Sequence, residues 1–353
     1  MHDNRIPLRS TADRRRLLGL AGAAALLSLS GSRAESGHGA PVEESPLPLS
    51  SKSSRLVATH RYGSLANAQL GVGAPLNGAV PFPVDNAWNR VIRSAPVAAD
   101  SAKLIANSGL AGAPRCHLGA RSGIPYVVVS AAQRPVPVRF TFPEHSDGGP
   151  YPIPRDALVE LGWDRRMLVI DRDDGCLFEL YGACNGTHGS WDAGSGAIFR
   201  LDSNDPRPQA AAGWMSADPS GLPIFPGLIR FDEARAGVIP HALRFAAPRT
   251  RRAFVAPATS WGMALDDDPR LLPMGARLRL RSTYRVSRRL SIESKAILQA
   301  LQTYGMFLSE TAFDWGFTGA PDARWDGERI ADELSALCAA DFEVVEMTGI
   351  VTA

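Results

Sequence analysis

The sequence predicts a mainly β protein, an antiparallel β-sandwich or jelly-roll-like barrel with two short helices near its C-terminus. Three observations lead there. Eight short β-rich runs, most alternating apolar and polar residues, follow one another between positions 124 and 282. Clusters of Gly, Pro, Asp and Asn separate them, which favours a sandwich or barrel over alternating βαβ units. Beyond position 290 the apolar period turns helical twice.

Taken in chain order, the N-terminus comes first. "DRRRLLGLAGAAALLSLSGSRA" has Arg14, Arg15 and Arg16, an apolar run from Leu17 to Leu29, and small residues at Ser32 and Ala34. A bilayer needs about 20 apolar residues, so 1–34 is expected to be an export signal rather than a membrane span. The arginines followed by Leu17 and Leu18 resemble a twin-arginine signal, with Asp13 and Gly19 departing from the usual pattern. The stretch "ESGHGAPVEESPLPLSSKSSR" is rich in Ser, Pro and Gly, and 35–80 is expected to be a linker or loosely attached arm. One β-rich domain then occupies 81–353.

The strand runs are "IPYVVVS", "VPVRFTF", "RMLVIDR", "CLFELYG", "GAIFRLD", "HALRFAA", "RAFVAPA" and "ARLRLRS". Ser291 is the expected cap of the first helix, where Ile292, Ala296, Leu298 and Leu301 recur at helical spacing and Gly305 stops the pattern. Asp326 is the expected cap of the second, through Leu337. Cys116, Cys176, Cys184 and Cys338 allow three disulfide pairings in an oxidising compartment, and isolated buried thiols are equally compatible.

Composition and motifs exclude more than they assign. The chain is 353 residues long, 45% hydrophobic and 21% charged, which suffices for a sizeable core. Its +2 charge comes from the N-terminal 34 residues, with six Arg against two Asp, so the remainder stands at −2 and has no nucleic-acid or anionic-membrane footprint. HExxH, GxxxxGK, GxSxG and GxGxxG after a strand do not occur, which removes support for zinc peptidases, P-loop enzymes, typical α/β-hydrolases and Rossmann dehydrogenases.

Candidate site residues come from segments whose polar content is costly for plain structure. "GTHGSWDAGSGAIFRLDSN" sets Trp191 and Asp192 among four glycines; "GWMSADPSGLPIFPGLIRFDE" adds Trp214, Asp218, Arg230, Asp232 and Glu233; "IPHALRF" adds His241 and Arg244. Glycine permits close approach of backbone to a ligand, or simply a tight bend. In a strand beginning at His241, that side chain shares a face with Leu243 and Phe245 while Arg244 faces the other way, so His241 is either a core group or at the strand mouth.

"YPIPRDALVELG", "LFELYGA", "WDAGSGAIFRLDSN", "SADPSGLPI", "PGLIRFDE", "PHALRF" and "YGMFLSE" with "DWGFTGAPDARWD" together resemble a family of secreted bacterial proteins, over nearly all of Phe82 to Val345. The resemblance implies export and carries no established activity. The chain departs from it after "PAT", where Ser260 and Trp261 replace histidines.

A secreted glycoside hydrolase acting on a polysaccharide is therefore the leading expectation. Such chemistry needs two carboxyl groups, about 5–5.5 Å apart for retention or about 6.5–9.5 Å for inversion. Asp192, Asp218, Glu233 and His241 are the catalytic candidates, with Glu179, Asp232 and Asp314 as further acids. Trp191, Trp214, Arg230 and Arg244 are the sugar-binding candidates, with Trp261 and Trp315 as further stacking faces. A polysaccharide lyase would use His241 or Tyr304 as base and Arg244 or Arg230 as cation; a glycan-binding module would use the same aromatics without cleavage. No cofactor is required, although 171–175 and 265–269 have the composition of calcium loops as well as of solvated turns.

Overall fold

The structure is a computed structural model in which residues 60–207 and 212–353 are described. The expected export signal and 35–59 lie outside the described residues. Strands dominate, in several separate sheets that form no closed barrel among the described residues, so the chain is mainly β as its sequence predicts. All eight expected runs contain a strand.

Two sheets carry the architecture. One has five strands in the order Ser195–Arg200, Cys176–Tyr181, Met167–Asp171, Tyr126–Val129 and Gly71–Val72. The other has six, in the order Phe342–Val344, Arg277–Leu280, Met306–Thr311, Leu243–Ala247, Gly316–Thr318 and Arg115–His117. Pairing is mixed rather than purely antiparallel: Tyr126–Val129 runs parallel to Met167–Asp171, and Leu243–Ala247 parallel to Met306–Thr311.

The five-stranded sheet is covered on both faces. Tyr126 and Val128 join the main core, together with Leu168, Ile170 and Leu177, whereas Val127, Val129, Met167 and Val169 join a second core. That is why "YVVV" and "MLVI" read as continuous apolar runs instead of alternating ones. The second core is closed by a small sheet containing Val138–Phe140 and Trp191–Ala193. The main core takes in the six-stranded sheet and the helix Ile292–Thr303, through Ala296, Ile297, Leu298 and Leu301.

Both C-terminal helices start where expected. The Ser291 hydroxyl accepts from the Ser294 N–H, and Asp326 accepts from the Arg329 N–H. Gly305, at φ +69°, follows the first helix, and a Cβ there would strike the Leu278 carbonyl. The second helix, Gly327–Leu334, ends three residues before the expected Leu337.

The expected arm needs correction. Residues 60–80 belong to the fold: Gly71–Val72 is an edge strand of the five-stranded sheet, and Leu65, Ala68, Leu76, Ala79 and Val80 are buried. Spaced apolar residues among many small ones were enough to anchor it, where the sequence showed only punctuation. All four cysteines are free thiols. Among the described residues, no helix is long and apolar enough to cross a membrane.

Candidate functional site

A cleft of about 1270 Å³ opens between the two main sheets. Tyr181 and Ser195 from the five-stranded sheet line it on one side, and His117, Ala246, Glu310 and Gly316 from the six-stranded sheet on the other. The loop 160–166 forms a rim, with Leu161, Trp163, Met263 and Leu265 exposed around the opening. Trp163 is 73% exposed, unusual for so large a ring.

Glu310 reaches this cleft because of a bulge. Phe245 pairs with Leu308 and both enter the core, but the next residue, Ala246, pairs with Glu310, so Ser309 is the extra residue. Strict alternation would have put Glu310 on the same face as Leu308. The bulge turns it with Ala246 into the cleft instead. The loop is held just as firmly. Glu160 N–H donates to the Arg166 carbonyl at 2.8 Å, and Gly182 N–H to the Asp164 carbonyl at 2.8 Å, which fixes Asp164 against the end of the Cys176–Tyr181 strand.

A chain of alternating charges runs along the cleft floor. Arg166 Nη2 lies 2.6 Å from Glu310 Oε1 and 2.9 Å from Asp164 Oδ2, while its Nη1 lies 3.5 Å from Glu160 Oε1. Glu310 Oε2 continues to Arg244 Nη2 at 3.5 Å, and Arg244 binds Asp218, which also accepts from Ser220. Arg166 and Arg244 are both buried, and the Nε of each has no hydrogen-bond partner among the described residues.

The environment pushes the acids in opposite directions. Burial pushes the Asp164 carboxyl up, Arg166 pulls it back, and the Glu310 charge pushes it up again, leaving it above the ordinary range. Burial likewise raises Glu160 and Asp218 against the pull of their arginines. Burial opposes the Glu310 charge too, but Arg166 and Arg244 outweigh it and hold that carboxyl below its ordinary value. A carboxyl pushed above its ordinary value beside one held below it is the arrangement acid–base chemistry needs. Burial and Arg115 keep the His117 imidazole below its ordinary value.

The residues expected from the sequence are distributed over several places. Asp218 and Arg244 meet each other under the cleft, buried at 1% and 3% exposure, and Arg244 joins it through Glu310. Arg230, Glu233 and His241 form a separate buried trio: Arg230 Nη2 is 2.6 Å from Glu233 Oε2, and His241 Nε2 is 3.0 Å from Glu233 Oε1. His241 Nδ1 faces the Ala242 carbonyl at 2.8 Å, so it is a satisfied core group. Asp232 accepts from Leu76 N–H, and Glu179 from Ile224 and Phe225 N–H.

Asp192 lies outside the cleft, in a two-bond pair with the exposed Arg139 across two strands. Trp191 packs half-buried on the second core. The glycines beside it serve packing: a Cβ on Gly194 would come 2.7 Å from the Tyr181 ring, and one on Gly196 2.6 Å from Phe140. Trp214 is buried, donating to the Glu144 carbonyl at 2.6 Å under the Arg207 guanidinium. Trp315 donates to the Ala111 carbonyl, and Trp261 packs on Phe254. Asp314 lines the cleft, paired with Arg115.

The acid-rich loops hold their carboxylates in turns and ion pairs. Asp171 accepts from Asp173 and Asp174 N–H, and Asp266, Asp267 and Asp268 pair with Arg249, Arg252 and Arg270. Among the described residues, no group of three or more His, Cys, Asp and Glu side chains is placed to hold a metal ion.

Sequence reasoning missed Asp164, Arg166, Trp163 and Glu310. A signal was present for three of them: "GWDRR" repeats the Trp–Asp pair of "SWDAG", in a turn, with cations attached. Comparison with protein-family models, with curated proteins and with solved structures finds no match for this chain.

Proposed function

We propose that the protein is an exported glycoside hydrolase whose site is the cleft between the two sheets, with Glu310 and Asp164 as its working carboxyls. The observation that carries this reading is their joint placement: two acids of opposite protonation bias share one guanidinium nitrogen in a cleft of about 1270 Å³. Each keeps about a fifth of its side chain exposed there, at 21%. Trp163 at the rim offers a ring face to the apolar C–H face of a sugar. Export rests on the Arg14–Arg16 pattern and the apolar run behind it.

A lyase draws less support. Its cation must be free to neutralise a uronate carboxylate, but Arg230 and Arg244 are buried against carboxylates of the protein itself, and His241 is enclosed.

The test is a polysaccharide panel read for reducing ends and for the ultraviolet absorbance of unsaturated uronates. Hydrolysis gives reducing ends without that absorbance. Both signals together would indicate elimination, and binding without either would indicate a glycan-binding module.

A further inference from the structure

Resting on the hydrolase reading of the same cleft, we infer that cleavage proceeds with retention of anomeric configuration, with Glu310 as nucleophile and Asp164 as acid and then base. Spacing of the two carboxyls decides the stereochemistry. Glu310 Oε1 and Asp164 Oδ2 lie 2.6 Å and 2.9 Å from the same nitrogen, Arg166 Nη2, so they can be no further apart than those two vectors end to end, about 5.5 Å. Double displacement uses carboxyls about 5–5.5 Å apart; inversion needs about 6.5–9.5 Å so that water fits between acid and base. The shared nitrogen keeps the facing oxygens of the two carboxyls closer than the spacing inversion needs.

Roles follow from what each oxygen touches. Glu310 has an oxygen toward each of two arginines, so it rests as the anion and is the group able to attack. Asp164 uses Oδ2 toward Arg166, which leaves Oδ1 to carry a proton. Asp218 is excluded as partner because its side chain has no exposed surface. Glu160 is less exposed than Asp164, at 14%, and its Oε2 accepts from the Arg166 N–H.

In the first step a Glu310 oxygen bonds to the anomeric carbon as the glycosidic C–O bond breaks, and the departing oxygen takes the Asp164 proton and leaves as an alcohol. In the second, water gives a proton to the Asp164 carboxylate as its oxygen attacks the anomeric carbon. The glycosyl ester breaks, Glu310 returns as carboxylate, and one water is consumed.

The experiment runs the full-length exported protein on the polysaccharides of the panel with methanol added, following methyl glycosides by mass spectrometry and the anomer first released by proton NMR. Retention predicts methyl glycosides and product of unchanged configuration. Reducing ends of inverted configuration with no methyl glycoside would overturn this inference and leave the hydrolase reading standing. No reducing ends from any polysaccharide would overturn both. Asp164→Asn gives a second readout: polysaccharide cleavage falls about 10²–10⁴-fold, while aryl glycosides with good leaving groups are still attacked and added azide is captured as a glycosyl azide of retained configuration. Cleavage by Asp164→Asn at the wild-type rate would remove Asp164 from the role.

Discussion

Glu179 shows how one buried group sets the pH response of the fold. Its side chain is fully enclosed, with Oε1 accepting from Ile224 N–H at 2.8 Å and Phe225 N–H at 2.9 Å. Burial outweighs those two donors and pushes the carboxyl up to about 8 from its ordinary 4.5. The folded state therefore holds a proton that the unfolded chain has lost between these values. Stability from this group is fully present below about pH 4.5 and declines as pH rises to about 8, by at most about 1.4 kcal/mol per pH unit. Glu179→Gln keeps an acceptor for both N–H groups but cannot ionise. Thermal melts at pH 5 and pH 8 should show a smaller drop for the variant than for the wild type; equal drops would show that Glu179 does not titrate in the fold. At this scale the sequence was a partial guide. It singled out Asp218, Arg244, Glu233 and His241 as costly polar residues, and the structure finds all four engaged inside the protein, Asp218 paired with Arg244 and Glu233 bonded to Arg230 and His241. It had no means of separating a buried pair from an open one, because burial depends on residues far along the chain.

Elements were more legible than sites. The runs "RMLVIDR" and "CLFELYG" announce strands by composition, and Ser291 and Asp326 announce helix starts by their local hydrogen bonding. The bulge at Ser309 was not legible: "MFLSET" gives no sign that one residue is extra, since that depends on the register with Leu243–Ala247. The segment 60–80 was also illegible, because its anchors are single residues. Leu76 N–H donates to Asp232, the Ala74 carbonyl accepts from the Tyr126 hydroxyl, and Leu65, Leu76 and Val80 fill the interior. Burying three such side chains is worth about 5–9 kcal/mol, against a whole-domain stability of about 5–15 kcal/mol. Removal of residues 1–80 should therefore abolish the cooperative thermal transition, while removal of 1–59 should leave it. A cooperative melt at the wild-type temperature for the shorter chain would show that the segment adds nothing.

The whole molecule makes its cleft from pieces that are distant in the chain: 117–123, 142–145, 160–166, 215–219, 263–265 and 310–318. Packing two mixed sheets around one core brings these together from positions spread between 117 and 318. The glycine-rich segment around Trp191, conspicuous in the sequence, spends its glycines on close contacts with Tyr181 and Phe140 instead. The central claim is that the cleft acts through Glu310, and it is tested most directly by measuring reducing-end release for the wild type, Glu310→Gln and Asp192→Asn on whichever panel polysaccharide the wild type cleaves, with circular dichroism confirming that each variant is folded. The account predicts a loss of about 10²–10⁴-fold for Glu310→Gln and near-wild-type release for Asp192→Asn; full activity in Glu310→Gln, or a collapse of activity in Asp192→Asn alone, would contradict it.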